Sequence, residues 1–223
     1  MKKVAIILPC YNEQSSIRRV VADWQKTIPF ADVWLCDNNS TDDSKKTAES
    51  LLIKVIEEPK RGKGNAVKKL LKECDSDIYI MCDCDNTYLA SIDILLPLLN
   101  EDVDITIGNR LHSYFNEKHS FMSVIGNRIL PKFVKLLLRI DIKDPLSGLR
   151  AFTKEFISGV DIPDGFDIEM AINCHIAKTK AKYKNINIPF QERTGLEYSK
   201  INAVKDGYKI LKYLLKWRLK NKV

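Results

Sequence analysis

Long apolar runs are missing from this chain of 223 residues, and none approaches the length of a bilayer span. The N-terminus offers Lys2 and Lys3 before only Val4–Leu8 and Pro9, too short for a secretory core, so neither a membrane span nor a leader is expected. Histidine is scarce: His112, His119 and His175 have no partner at ligand spacing and read as surface or structural. Cys10, Cys36, Cys74, Cys82, Cys84 and Cys174 are scattered in or beside apolar runs, which argues for reduced, buried thiols in a cytosolic protein rather than a disulfide framework. No second Cys/His pair joins Cys82 and Cys84 at zinc-finger spacing. There is no internal repeat, low-complexity stretch or Gly/Ser linker, and a hydrophobic content of 45% suffices for one well-buried domain spanning 1–223. A generally basic surface is missing too. Lys205, Lys209, Lys212, Lys216, Arg218, Lys220 and Lys222 face one Asp206, so residues 201–223 carry +6 of the total +7. Nucleic acid is therefore not an expected partner, and the basic tail is what needs explaining.

What the sequence does have is Asp83-Cys84-Asp85, directly after the apolar run Ile78–Cys82. Alternate side chains of a strand share a face, so both carboxylates can reach one point if the strand continues briefly. Such a pair can hold a hard divalent cation and leave its other positions to water and substrate phosphate. Asp-x-Asp alone is a common pattern of solvated loop acids. Its place at a strand exit matters, because ligands of open α/β sheets bind at the carboxyl ends of strands.

Val4–Leu8, Asp32–Cys36, Ile53–Ile56, Ile78–Cys82 and Val103–Ile107 read as short buried strands. Between the first two, Ile17, Val20, Val21, Trp24 and Ile28 recur at helical spacing, and Ala66, Val67, Leu70 and Leu71 form a second helical face. The alternation predicts an α/β fold, a mostly parallel central sheet flanked by helices. Further on, 121–140 is helical in pattern with Pro131 as a kink or boundary, Phe166–Ala177 reads as a helix, Asn185–Ile188 as a strand, and 201–219 as a last helix.

Strand ends carry the candidate chemistry. The first ends in Pro9-Cys10-Tyr11-Asn12-Glu13, where Tyr can stack on a flat ring and Asn and Glu can hydrogen-bond a sugar or base; a plain turn is the alternative. The second ends in Asp37-Asn38-Asn39-Ser40-Thr41-Asp42, which suits a nucleobase edge or an Asx turn capping the next helix. Arg61-Gly62-Lys63-Gly64-Asn65 precedes a helix; its glycines would let backbone approach a ligand and Lys63 would add charge at a phosphate. It has neither Walker nor Rossmann spacing. Asp167 and Glu169 stand at a helix start, either contacting substrate or complementing the helix dipole.

Taken in order, these four segments, with Asp83-Cys84-Asp85-Asn86-Thr87-Tyr88 as the fourth, resemble family 2 glycosyltransferases. Gly108-Asn109-Arg110, Asp144-Pro145-Leu146-Ser147-Gly148-Leu149-Arg150 and Glu192-Arg193 through Ser199-Lys200 resemble the dolichyl-phosphate mannosyltransferase branch. The resemblance implies an A-type glycosyltransferase fold, a GDP- or UDP-linked sugar donor and a polyprenyl (dolichyl or undecaprenyl) phosphate acceptor. It implies a nucleotide-sugar half over 1–110 and an acceptor half over 111–200. Pro9, Tyr11, Glu13, Asp37 and Asn38 would surround the nucleoside, with Lys63 and Cys84 lining the donor site. Asp83, Asp85 and Thr87 would face Mg2+ or Mn2+ and the diphosphate. Arg110, Ser147, Arg150, Arg193 and Lys200 would handle phosphate charge on donor or acceptor. Asn38 stands where many relatives have Asp, and Cys84 where a smaller residue is usual.

The implied reaction is an inverting, metal-dependent transfer to a lipid phosphate on the cytoplasmic membrane face. If the acceptor were a sugar hydroxyl, Asp167 or Glu169 would have to take a proton. A silent nucleotide-sugar-binding subunit is the third reading, disfavoured by intact Asp83, Asp85 and Arg110. In the tail, Ile201, Val204, Tyr208, Leu211 and Leu215 recur beside a lysine stripe, as expected of a basic amphipathic helix on an anionic bilayer surface. Segment 121–140 repeats that theme. A membrane-protein partner or a second copy of the chain is compatible with the same surfaces.

Overall fold

The computed structural model describes residues 2–114, 121–165, 167–191, 213–215 and 217–219. In chain order its elements are β1 (Val4–Cys10), α1 (Ile17–Thr27), β2 (Asp32–Asp37), α2 (Ser44–Glu49), β3 (Lys54–Glu57), α3 (Lys63–Glu73), β4 (Ile78–Met81), α4 (Leu96–Asn100), β5 (Ile105–Asn109), α5 (Leu111–Tyr114), α6 (Phe121–Leu138), β6 (Arg150–Thr153), α7 (Lys154–Ser158), α8 (Ile168–Thr179) and β7 (Tyr183–Asn187). The seven strands form one sheet in the order β3-β2-β1-β4-β6-β5-β7. β6 runs antiparallel to β4 and β5, and the other pairings are parallel.

The sheet is covered on both faces, so its central strands read as unbroken apolar runs; all of β4 is buried. Side chains alternate between two cores. Ile6, Leu8, Ile78, Ile80, Cys82 and Cys84 pack with Val20, Val21 and Trp24 of α1. Ala5, Ile7, Tyr79 and Met81 pack with Val67 and Leu70 of α3 and with Ile168, Ile172 and Ile176 of α8. Just past β4, Cys82 and Cys84 pack into the α1 face, while Asp83 turns to Lys63 of α3, which also holds Glu169 of α8. All six cysteines are free and buried. No helix among the described residues is long and apolar enough to cross a membrane.

Two elements differ from the sequence reading. α6 continues from Phe121 to Leu138 with Pro131 inside it, so Pro131 is not a boundary. β6 was not expected, because four residues led by an arginine do not look like a central strand. Arg150 is nevertheless fully buried. Its Nε donates to Ser147 O at 2.9 Å, Nη1 to Asn173 Oδ1 at 2.7 Å and Nη2 to Pro145 O at 2.8 Å. Ser147, buried as well, turns its hydroxyl to Leu149 O at 3.3 Å. Both side chains turn inward and together brace the 144–149 loop, which corrects their assignment to phosphate binding.

Arg150→Met keeps the volume but leaves buried carbonyls without donors, and is expected to destabilise the protein by about 3 kcal/mol. Urea unfolding measures this. An unchanged midpoint with impaired turnover would return Arg150 to a ligand role.

Candidate active site

The carboxyl ends of β1, β2, β4 and β5 lie along one edge of the sheet. Asp83 follows β4, Lys63 opens α3, and Glu169 sits in the first turn of α8. Lys63 Nζ stands 2.5 Å from Asp83 Oδ1 and 2.5 Å from Glu169 Oε1. The Lys63 and Glu169 side chains are 11% and 8% exposed, whereas Asp83 is 30% exposed, so the triad opens to solvent only at Asp83. Burial opposes the ammonium charge, but Asp83 and Glu169 outweigh it and hold Lys63 protonated well above its ordinary range. Burial pushes the Asp83 carboxyl up; Lys63 resists that shift, and Asp85 and Glu169 add to it.

Asp85 Oδ1 accepts from the Thr87 amide at 3.1 Å and the Thr87 hydroxyl at 2.6 Å. Thr87 therefore orients a carboxylate in this state. The 144–149 loop presses on Asp83 from the other side, where a Cβ on Gly148 would lie 2.1 Å from Oδ2. The Gly148 amide donates to the buried Tyr88 hydroxyl at 2.8 Å, and Tyr88 meets Phe190 edge-on at 5.8 Å. Arg110 Nε bonds Asp144 Oδ2 at 2.8 Å, and its guanidinium lies 5.7 Å from the Phe190 ring centroid. Burial works against the Arg110 charge, but Asp144, Tyr88 and Asp83 together outweigh it and shift the guanidinium upward.

A second group lies at the ends of β1 and β2, where Pro9 pairs with Cys36 and Cys10 with Asp37. Asp37 is buried. Its Oδ2 accepts from the Ser40 amide at 3.1 Å, and Oδ1 has no hydrogen-bond partner among the described residues. Arg61 lies over the Tyr11 ring at 4.3 Å. The Glu13 amide donates to Ser44 Oγ at 2.8 Å, and the Glu13 carbonyl starts α1.

Several sequence expectations are corrected by these contacts. Asn38 is not open to a base edge: its Nδ2 donates to Glu58 O and Lys60 O, both at 2.9 Å, while Oδ1 accepts from the Gly62 amide at 2.7 Å. Cys84 lines no donor site, because strand parity turns it into the α1 core. Gly62 and Gly64 admit the protein's own backbone rather than a ligand: an added Cβ would lie 2.1 Å from Asp164 O and 1.7 Å from Pro163 O. The Gly64 amide donates to Gly165 O at 2.9 Å, so the 163–165 segment caps α3 where a phosphate was expected.

Asp167 takes the N-cap position of α8 without a side-chain cap bond. Arg193, Lys200 and most of the stretch 201–223, where the sequence led to the expectation of a helix, lie outside the described residues. Of that stretch, 213–215 and 217–219 are helical, and Leu214 packs with Val134 and Leu138 of α6. Asp144, Tyr88, Gly148 and Arg61 were not singled out from the sequence, although each lies in a quoted motif. Their roles appear only when distant loops meet.

The donor set at Asp83 and Asp85 is made of carboxylate oxygens, with the neighbouring thiols turned away, and so fits a hard divalent ion rather than zinc. Among the described residues no group of three His, Cys, Asp or Glu forms a ligand cluster, so such an ion would complete its shell with water and ligand phosphate.

Residues 5–159 match the family model described as Glycosyl transferase family 2. Glycosyltransferase AglJ of Haloferax volcanii is 32% identical over 209 residues, covering 92% of this chain and 68% of that protein. Dolichyl-phosphate hexose transferase of the same organism is 24% identical over 214 residues, 96% of this chain and 92% of that one. Among solved structures, glucosyl-3-phosphoglycerate synthase from Mycobacterium tuberculosis, in complex with Mn2+, UDP-glucose and phosphoglyceric acid, aligns with a TM-score of 0.77 at 19% identity, over 97% of this chain and 79% of that one. At that identity the likeness is one of fold.

Asn38→Asp replaces two N–H donors by an oxygen facing two carbonyls, and is expected to cost about 2 kcal/mol. Urea melts compare it with the wild type. Equal stability would mean that the amide does not latch the 58–62 segment.

Proposed function

Since the chain belongs to glycosyl transferase family 2 and has the A-type glycosyltransferase fold, we propose that this glycosyltransferase moves a sugar from a GDP- or UDP-linked donor to a polyprenyl phosphate, inverting the anomeric carbon. The observation that carries this reading is that Asp83, after β4, and Arg110, after β5 and tied to Asp144, share one sheet edge and influence each other electrostatically. The name of the dolichyl-phosphate hexose transferase supports a lipid phosphate as acceptor. The Mn2+ and UDP-glucose of the solved relative support a nucleotide-sugar donor and a divalent ion.

The barrier lies in separating the anomeric carbon from the departing diphosphate. A Mg2+ or Mn2+ ion held by Asp83 and Asp85, with Thr87 beside them, would neutralise charge on that leaving group when bound. Arg110, its plane held through Nε by Asp144, offers a rigid cation to phosphate oxygens. Tyr11 and Arg61 provide a flat surface for the nucleobase, and the buried Asp37 Oδ1 can accept from a base N–H. The acceptor phosphate is largely dianionic at neutral pH, its second pKa being about 6, so it needs orientation more than a base. A sugar hydroxyl would need one. Glu169 is poorly suited to that task, since Lys63 already engages it in a nearly closed pocket.

The same proposal sets the protein on the cytoplasmic membrane face. On α6, Ile129, Phe133 and Leu136 are exposed at helical spacing, Leu136 to 71%, flanked by exposed Lys132, Lys135 and Arg139. An apolar stripe with basic flanks suits an anionic interface, each cation adding roughly 1 kcal/mol at low salt.

Incubation with a panel of GDP- and UDP-sugars, Mg2+ or Mn2+ and a short polyprenyl phosphate is expected to release nucleoside diphosphate and yield a glycosylated lipid phosphate. Asp83→Ala and Asp85→Ala should each lose about a hundredfold or more while remaining folded. Near-normal turnover by both variants, or full activity in excess chelator, would refute the metal role. In a separate measurement, the Phe133→Ser/Leu136→Ser variant should leave anionic liposomes that retain the wild type, yet still turn over a water-soluble acceptor. Equal partitioning would remove α6 from the membrane contact.

A further inference from the structure

Lys63 occupies the oxygen that a divalent ion at Asp83 would need. Its ammonium contacts Asp83 Oδ1 at 2.5 Å, while Gly148 closes on Oδ2 so tightly that a Cβ there would stand 2.1 Å away. An ammonium and a divalent cation repel strongly when both press on one carboxylate in a partly dry site. The ammonium already has a second seat, Glu169 Oε1, also at 2.5 Å. Glu169 arrives from α8, not from a strand end, and is more enclosed than Asp83. The site thus contains a resident cation with two partners, only one of which belongs to the strand-end pair.

We propose that Lys63 is a positioning residue that stands on Asp83 in the donor-free protein and yields that oxygen when metal and nucleoside diphosphate arrive together, with Glu169 keeping the ammonium within reach of the diphosphate. The inference rests on the reading of Asp83 as the cation seat. Its consequence is an order of events. A cation arriving alone must break an existing ion pair and leaves the ammonium with Glu169 as its one remaining carboxylate partner. A diphosphate arriving with the cation supplies new oxygens for Lys63. Metal and donor therefore enter as one unit.

The test titrates Mn2+ alone into the full chain, followed by electron paramagnetic resonance, with circular dichroism melts to confirm folding. Lys63→Met/Glu169→Gln exchanges the buried pair for neutral side chains of similar size, and is expected to bind Mn2+ about tenfold more tightly than the wild type. With Mn2+ present, the same variant should bind UDP or GDP more weakly, because the ammonium that follows the diphosphate is gone. Mere loosening of the fold would weaken both. Glu169→Gln alone leaves the ammonium only Asp83 and should weaken Mn2+ binding. Equal Mn2+ affinity in wild type and double variant, or no binding by either, overturns the proposal. Asp83→Asn examines the premise separately. Persistent Mn2+ binding in Asp83→Asn would refute the cation seat itself, whereas its loss there, with the double variant unchanged, refutes only the displacement of Lys63.

Discussion

One ammonium group joins three elements of this protein. Lys63 comes from α3, Asp83 from the exit of β4 and Glu169 from α8, and their contacts are 2.5 Å long. Removing ions from water costs several kcal/mol each, offset only when the partners are held in good geometry. Much of the surrounding structure supplies that geometry. Gly62 and Gly64 let the 163–165 backbone seat on the first turn of α3, and Lys60 and Lys68 both bond Asp164 from that side. Asn38 pins the Gly62 amide. What looked like a ligand loop is a clamp that delivers one side chain.

The opposite wall is built the same way. Arg150 gathers the carbonyls of Pro145 and Ser147, which sets Gly148 against Asp83 and Asp144 against Arg110. A buried cation on each side, each serving the chain's own backbone or carboxylates, holds an edge at which Asp83 remains the more open acid. Rigid scaffolding around a partly solvated carboxylate is what preorganised electrostatics requires.

The fold was largely legible, because short apolar runs alternating with helical stripes have few architectures open to them. The place of Asp83 was legible for a sharper reason: it directly follows a buried strand, and alternation sets it on the face opposite Cys82. Other residues were ambiguous in kind. An Asn at a strand end can bond a base or a neighbouring carbonyl, and a Gly before a helix can admit a phosphate or a loop; for Asn38, Gly62 and Gly64 the protein's own backbone took the place of the ligand. Arg150 misled because a charged residue heading a four-residue segment looks exposed, and only its three bonds show how it is buried. Asp144 was passed over since its partner, Arg110, lies 34 residues away in the chain.

β6 has a further consequence for how the molecule comes together. β4 and β5 are not neighbours; within the sheet the ladders β3-β2-β1-β4 and β5-β7 are joined by this antiparallel strand, and beyond its edge by the Tyr88–Phe190 bridge. Asp83 follows the first ladder and Arg110 the second. Both connections are distant in sequence: closing the β6 ladder to β4 brings Met81 and Arg150 together across 69 residues, and the bridge joins Tyr88 to Phe190. Loop-closure entropy makes such contacts late. The chemistry-bearing edge therefore rests on pairings between distant parts of the chain, and until they close Asp83 and Arg110 belong to separate ladders.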